Sequence, residues 1–358
     1  MPSLKEIKGR INSISSTLAI TSAMKMVAAA KLQKAQMAIQ NMLPYERRLY
    51  SMLVDLMGAM NISAAASEDG SVRGSGSAER GFDQSGDRLS LSNRHDLAGM
   101  DGAYSLMAQR EVRKVAIVAF ASNSSLCGAF NSNVIREATA VINEYRASGL
   151  GDADITVYSV GRKMAEAMKK LGFPSPADFT KMSDSPSYDA ASALAQELFD
   201  GFVSGRFDKV ELVYNHYKST SSQPTTRQTY LPLSLADAIA DLQAGKIADS
   251  ASESDTNRGA EPVGAPVVRQ GSPTTEDLIV EPSKEALIAT LLPKVIRLRI
   301  FTTLLDSVAA EHAARTVAMQ LATDNGNDLL QELTLEYNKG RQQKITSEIL
   351  DLVGGSMQ

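Results

Sequence analysis

The chain has 358 residues, 43% of them hydrophobic, which is enough for a sizeable core and for two or three domains. It has no Trp and only 5% aromatic residues, which argues against a sugar-binding or aromatic-stacking cleft, and its 37 basic and 41 acidic residues leave no global positive field for nucleic acid. Cys127 is the only cysteine, so an intramolecular disulfide and a Cys-rich zinc site are excluded, and His95, His216 and His312 are too far apart in sequence for a local metal motif.

No apolar run approaches eighteen residues and no leader pattern opens the chain. The expectation is a soluble, intracellular protein that begins at its structural start. Charge is uneven. Residues 1–48 carry eight Lys and Arg against Glu6 and Glu46, whereas residues 238–282 carry eight acids against three bases. A basic end on an acidic chain points to an acidic partner, with a solvated helix face as the plain alternative.

Ser3-Leu4-Lys5-Glu6 has capping-box spacing and predicts a helix start. From there positions 4, 7, 11, 14, 18, 21, 25, 28, 32, 35, 39 and 42 alternate by three and four and form a heptad seam, with a thin middle at Thr21, Lys25 and Ala28. Pro44 predicts a kink or joint, although the apolar spacing resumes at Leu49 and continues through Leu56. A continuous helix to about residue 59 would be roughly 85 Å long at ~1.5 Å per residue, longer than an ordinary globular domain hides.

Residues 67–93 hold seven Ser and five Gly with little apolar periodicity, and 244–275 are rich in Ser, Ala, Pro and acids. Both read as flexible insertions. Between them Lys114–Ala121, Asp154–Val160, Lys209–Tyr217 and Thr226–Leu233 read as strands, and Asn131–Ser148, Arg162–Leu171 and Tyr188–Gly205 as helices. That alternation predicts an α/β domain with a mostly parallel sheet.

A second long helix is expected from Pro282-Ser283-Lys284-Glu285, with Pro293 as an early break, Gly326 and Gly340 as interruptions and Gly354-Gly355 as terminator. Two amphipathic helices flanking a compact domain pack most economically as an antiparallel coiled coil with the domain on its side.

The chemistry-bearing patterns are weak. The loop Ser122–Phe130 lies between a strand and a helix, where phosphate loops sit, but has one glycine and no Gly-Lys-Ser/Thr, so a plain strand-to-helix turn competes with a nucleotide site. Cys127 has no evident histidine partner, and Ser124 and Ser125 lack a nucleophile-elbow context. Asp324–Asp328 lacks the spacing of a cation loop and reads as a polar patch at a helix contact. Met24, Met26 and the neighbouring alanines form either a gap-filling seam or a smooth surface past which a partner slides. On residues alone the reading is a scaffold or mechanical element.

Four segments carry a resemblance. Residues 3–36, above all ITSAMKMVAAAK at 20–31, resemble the N-terminal helix of the gamma subunit of F-type ATP synthases. Ser122–Asn133 is similar to the family's Ser-Asp-Arg-Gly-Leu-Cys-Gly-Gly segment, LVYNHYK at 212–218 to a later strand, and EHAARTVAMQLATDNGNDLL through LDLVGG at 311–355 to its C-terminal helix. The resemblance implies a long antiparallel coiled coil of the terminal helices with a central Rossmann-like α/β domain. The segments would be a shaft helix over 1–61, an insertion over 62–105, the α/β domain over 106–238, an acidic insertion over 239–281 and a second shaft helix over 282–358.

It also implies a central rotor shaft without catalytic residues or cofactors of its own. Its expected partners are a ring of alpha and beta subunits that binds Mg-ATP and ADP, an epsilon subunit and a membrane c-ring, at the cytoplasmic face of a bacterial inner membrane. By alignment of those motifs, Met24, Lys25, Arg315, Arg341, Gln342 and Thr346 are expected to face beta subunits, and Ile345, Ile349, Leu350, Leu352 and Val353 to sit in an apolar bearing. The chain departs from the family at Asn123-Ser124-Ser125, where Asp-Arg-Gly is usual, and at Ala19, where lysine is usual. An α/β enzyme with helical extensions and a coiled-coil adaptor are the rival readings.

Overall fold

A computed structural model describes residues 3–68, 106, 110–233 and 284–356. The expected insertions at 62–105 and 239–281 fall largely outside the described residues, as does His95. The chain begins with α1 (Leu4–Glu68) and ends with α6 (Lys284–Ser356). At ~1.5 Å per residue these helices span about 100 and 110 Å. Between them come β1 (Val115–Phe120), α2 (Phe130–Ala147), β2 (Ile155–Val160), α3 (Arg162–Lys170), α4 (Thr180–Asp184), α5 (Tyr188–Val203), β3 (Lys209–Asn215) and β4 (Thr225–Leu231).

The cap at Ser3 forms, since its Oγ accepts from the Glu6 backbone N–H at 3.2 Å. Glu6 does not complete the box; it pairs with Arg10 one turn on, at 3.0 Å. Every position of the expected seam from 4 to 42 is buried or half-buried, while most residues between them are exposed. The helices pair antiparallel and in register. Leu4 faces Gly340, Leu18 faces Gly326, and Thr323 Oγ1 donates to Thr21 Oγ1 at 3.1 Å, so α6 retreats by the same interval as α1 advances.

Several expected boundaries are corrected. Neither Pro44 nor Pro293 ends its helix: α1 runs through Pro44 to Glu68, past the expected limit at 61, and α6 runs through Pro293. A proline inside a helix removes one hydrogen bond and crowds the preceding turn, at about 3 kcal/mol. Here buried residues keep the helix continuous through that defect. Leu49, Tyr50 and Leu53 follow Pro44, and Leu291, Leu292, Val295 and Ile296 bracket Pro293. Fully burying one such side chain contributes about 1.5–3 kcal/mol, so two or three outweigh the proline. The Gly354-Gly355 pair lies inside the last turn, which continues to Ser356.

The sheet has the order β2-β1-β3-β4, with β1 parallel to both β2 and β3 and β4 antiparallel to β3. All of β1 is buried, as its continuous apolar run requires of a strand covered on both faces. Val115, Ile117 and Ala119 face α2 and α3, while Ala116, Val118 and Phe120 share a core with α5 and the rod helices. That second core explains why α6 is covered on nearly all sides between Ile288 and Ala313: it is clasped between α1 and the α/β domain. From Leu321 to Gly340 only Thr323, Gly326, Leu330, Leu333, Tyr337, Asn338 and Gly340 are half-buried, and the helix has narrowed to a two-helix seam.

Under β3 lies one buried charge. Glu211 is 1% exposed and accepts from Tyr145 Oη at 2.7 Å, from Lys209 at 2.7 Å and from Arg227 at 2.8 Å. Burial opposes its ionisation, but hydrogen bonds from Arg227, Lys209 and Tyr145 outweigh burial and hold the carboxyl below its ordinary range. Arg227 also pairs with Glu144, which ties β4 to α2.

Candidate interaction surface of the rod

The rod ends in an overhang. Because Leu4 faces Gly340, residues 341–353 of α6 extend beyond the first turn of α1, roughly 20 Å at ~1.5 Å per residue. Arg341, Gln342 and Thr346 are exposed there. Thr346 Oγ1 donates to the Gln342 carbonyl at 2.9 Å, which leaves the Gln342 side chain directed by its own rotamer. Ile345, Ile349, Leu350, Leu352 and Val353 are exposed too, Leu352 at 74%. Five large apolar side chains on one unpaired helix end are poorly placed in water, and such a cluster marks a contact surface.

Met24 and Lys25 lie lower on α1, half-buried at the seam, where Thr21 and Ala28 keep the helices close. The small residues therefore belong to the seam. The outer face beside them is apolar and open: Ile20, Met26 and Val27 are 60%, 65% and 58% exposed, and Leu321 of α6 is 58% exposed. The gap-filling reading of the Met and Ala stretch fits its seam side, and the other side is an exposed apolar face.

Arg315 occupies a different setting. It is 8% exposed and points away from the rod surface into the α/β domain. Its Nη1 donates to Glu311 Oε1 at 2.7 Å and its Nη2 to Ser124 Oγ at 2.7 Å. Burial pushes the Glu311 carboxyl above its ordinary range, against the pull of Arg315. His312, beside the pair, is held down at about 4 by burial and by the Arg315 and Lys31 cations. Arg315 thus joins rod to domain, through Glu311 on its own helix and Ser124 in the domain.

The loop after β1 is occupied by its own contacts. Asn131 Oδ1 accepts from the Ser122 backbone N–H at 3.0 Å, and Asn131 Nδ2 donates to Cys127 Sγ at 3.2 Å. At the start of α3, the Arg162 N–H is taken by Asn123 Oδ1 at 2.7 Å and the Lys163 N–H by the Ser122 carbonyl at 3.1 Å. A phosphate loop needs those donors free, so the geometry is that of a strand-to-helix turn. Asn123 and Ser124 make contacts within the chain, and Cys127 is buried against Ala310 of the rod.

A second bridge was not legible in the spacing. Asp306 of α6 accepts the Tyr217 backbone N–H at 2.9 Å through Oδ1 and bonds His216 Nδ1 at 2.6 Å through Oδ2. The hydrogen bond to Asp306 raises the His216 pKa, although burial and Lys218 act the other way. Among the described residues no helix is long and apolar enough to cross a membrane.

The geometry defines a class: a two-helix rod, with an α/β domain welded to its middle and an unpaired apolar tip. The family model described as ATP synthase matches residues 3–357. The ATP synthase gamma chain of Phocaeicola vulgatus is 47% identical over 357 residues, and that of Bacteroides thetaiotaomicron 45% identical over 358, each alignment covering 100% of both chains. The chain belongs to the ATP synthase gamma chain family. Two solved structures of the Euglena gracilis mitochondrial ATP synthase share its fold at 18% identity. One, of the rotor, has a TM-score of 0.50 and covers 96% of this chain and 98% of its own; the other, of the OSCP/F1/c-ring assembly, has a TM-score of 0.54 and covers 99% and 93%.

Proposed function

We infer that the chain is the central rotor shaft of an F-type ATP synthase. It turns inside a hexameric ring of alpha and beta subunits and couples proton flow through a membrane c-ring to ATP synthesis, or ATP hydrolysis to the reverse flow. It performs no chemistry itself; Mg-ATP and ADP bind to the alpha and beta subunits. The epsilon subunit and the c-ring complete its partners, and it lies peripherally at the cytoplasmic face of a bacterial inner membrane.

One observation carries this reading: the overhang of α6, where exposed Arg341 and Gln342 precede five exposed apolar residues. An apolar tip fits a dry collar that permits rotation, because dispersion and apolar burial do not depend on direction. The resemblance assigns Met24, Lys25, Arg341, Gln342 and Thr346 to beta-subunit contacts, and the exposure of Arg341, Gln342 and Thr346 supports that reading. Contacts between mobile exposed charges are worth little each, so they form and break as the shaft turns. Arg315 acts differently, by transmitting load between rod and domain.

Reconstitution tests the reading. Mixed with the alpha and beta subunits of its organism, the chain is expected to give a complex with one copy per ring and raised multisite Mg-ATP hydrolysis. Absence of binding, or hydrolysis by this chain alone, would return the α/β enzyme reading to first place.

A further inference from the structure

Where α1, α6 and the β3–β4 hairpin meet, a cavity of about 420 Å³ opens in the joint between rod and domain. Its size is in the range of small-molecule sites, about 300–1,000 Å³, and such sites favour junctions of this kind. Ile39 and Leu43 of α1 and Leu305 of α6 give it an apolar lining. Its polar rim is built from contacts that cross between elements. Gln36 Nε2 donates to Tyr217 Oη at 2.6 Å, Arg299 Nη1 to Tyr50 Oη at 2.9 Å, and Thr302 Oγ1 to Glu46 Oε1 at 3.1 Å. The His216–Asp306 contact forms part of the same rim. These bonds brace the walls around the space.

The charges of the lining cancel, with Arg47 and Arg299 against Glu46 and Asp306. Arg299, Glu46 and Asp306 are already engaged in the contacts just given, so the cavity holds no surplus cation to select a phosphate or carboxylate. What it offers is amide groups. Gln228 Oε1 accepts from Tyr214 Oη at 3.3 Å, whereas among the described residues the Gln228 amide nitrogen and the Gln40 side chain make no hydrogen bond. Free amides beside an apolar floor suit an uncharged planar ring that carries both an acceptor and a donor.

We propose that this cavity is a binding site for an uncharged aromatic amide or lactam, its ring on Ile39, Leu43 and Leu305 and its amide paired with Gln40 and Gln228. Such a ligand touches both rod helices and the α/β domain at once, so it locks the joint and stabilises the folded chain.

The probe is N-(4-hydroxyphenyl)benzamide, titrated into the purified full chain by calorimetry and thermal unfolding. Saturable one-to-one binding is expected, with Tm raised by about 3–5 °C at a hundredfold excess over Kd. The affinity is expected to be the same at about 50 and 500 mM salt, because no ion pair forms. Gln40→Ala and Gln228→Leu, both at solvent-reachable positions, each weaken binding about fivefold to tenfold. Leu43→Trp fills the floor and abolishes binding. If that variant does not fold, the two glutamine variants decide the matter alone. No saturable binding, an affinity unchanged in both glutamine variants, an affinity that collapses at high salt, or saturable binding of inorganic phosphate in the probe's place would each overturn the proposal.

Discussion

Gly326 of α6 faces Leu18 of α1 so closely that a Cβ there would stand 2.6 Å from Leu18 Cδ2 and 3.2 Å from its Cγ. The glycine that looks like a helix interruption is the place where the rod is thinnest. An alanine would gain about 1 kcal/mol of helix propensity, and the half-exposed Leu18 can swing aside, so Gly326→Ala is expected to be near neutral. Gly326→Leu overfills the seam, and after that propensity gain it is expected to cost about 1–2 kcal/mol. Leu18→Ala in the same chain should recover most of the loss. Chemical unfolding followed by far-UV circular dichroism gives the cycle, and simple additivity of the two substitutions would contradict the packing seen here.

Much of the rod was legible because its cause is local. A seam repeats every three or four residues whatever it packs against, so Leu4, Leu18 and Ala28 declared themselves before any partner was known. Pro44 and Pro293 misled because their cost is local while the packing that outweighs it is not: the core around Leu53 and Leu292 includes residues of the α/β domain. Arg315 misled for the same reason. The resemblance alone assigns it to a beta-subunit contact, and its partner Ser124 is 191 positions away. The cavity at Leu305, walled by residues from both rod helices, β3 and β4, had no signature in the chain at all.

The Arg315–Glu311 pair predicts a pH-dependent variant. Breaking a buried ion pair from one side leaves the other charge without compensation, at about 3–5 kcal/mol. Arg315→Met is therefore expected to lower unfolding stability by about 3 kcal/mol at neutral pH. Glu311 binds its proton more tightly in the folded chain than in the unfolded one, because burial outweighs Arg315. Its contribution therefore falls as pH rises from the unfolded value through the folded one. Without Arg315 the folded value rises further, so the deficit of the variant should shrink as the pH is lowered toward the ordinary carboxylate range. Urea unfolding of both proteins across that interval checks the sign; a deficit independent of pH would mean that Arg315 acts through packing alone.

The two described histidines should titrate on opposite sides of the ordinary imidazole value. His216 gains a charged partner in Asp306 and is raised, whereas burial and two nearby cations hold His312 down at about 4. The stabilisation from the His216–Asp306 contact is complete below the unfolded pKa of His216 and is lost as pH rises through the folded one. His216 is half exposed, so water screens much of it. In an NMR titration, Asp306→Asn is expected to move the His216 midpoint down and leave that of His312 in place. A His216 midpoint indifferent to Asp306→Asn would remove the bridge.

The tip of α6 separates folding from function. Ile345, Ile349, Leu350, Leu352 and Val353 are all exposed, and the helix that pairs with α6 has already ended at Leu4. Removing residues 345–358 deletes no buried side chain among those described, so the Tm of the isolated chain should stay within about 1–2 °C, the range of an ordinary surface change. On the reading proposed above, the same deletion removes the apolar tip from its collar in the assembly. Loss is expected to fall more heavily on coupling than on ATPase turnover. Gln342→Ala, which keeps the tip and removes one exposed polar contact, should lower steady ATPase, whereas Met24→Lys places a cation at the half-buried seam position beside the open face and should impair coupling. Proton pumping measured beside ATP hydrolysis in reconstituted vesicles distinguishes the three, and normal pumping by both the truncated and the Met24→Lys enzymes would show that neither the tip nor the open face is a working surface.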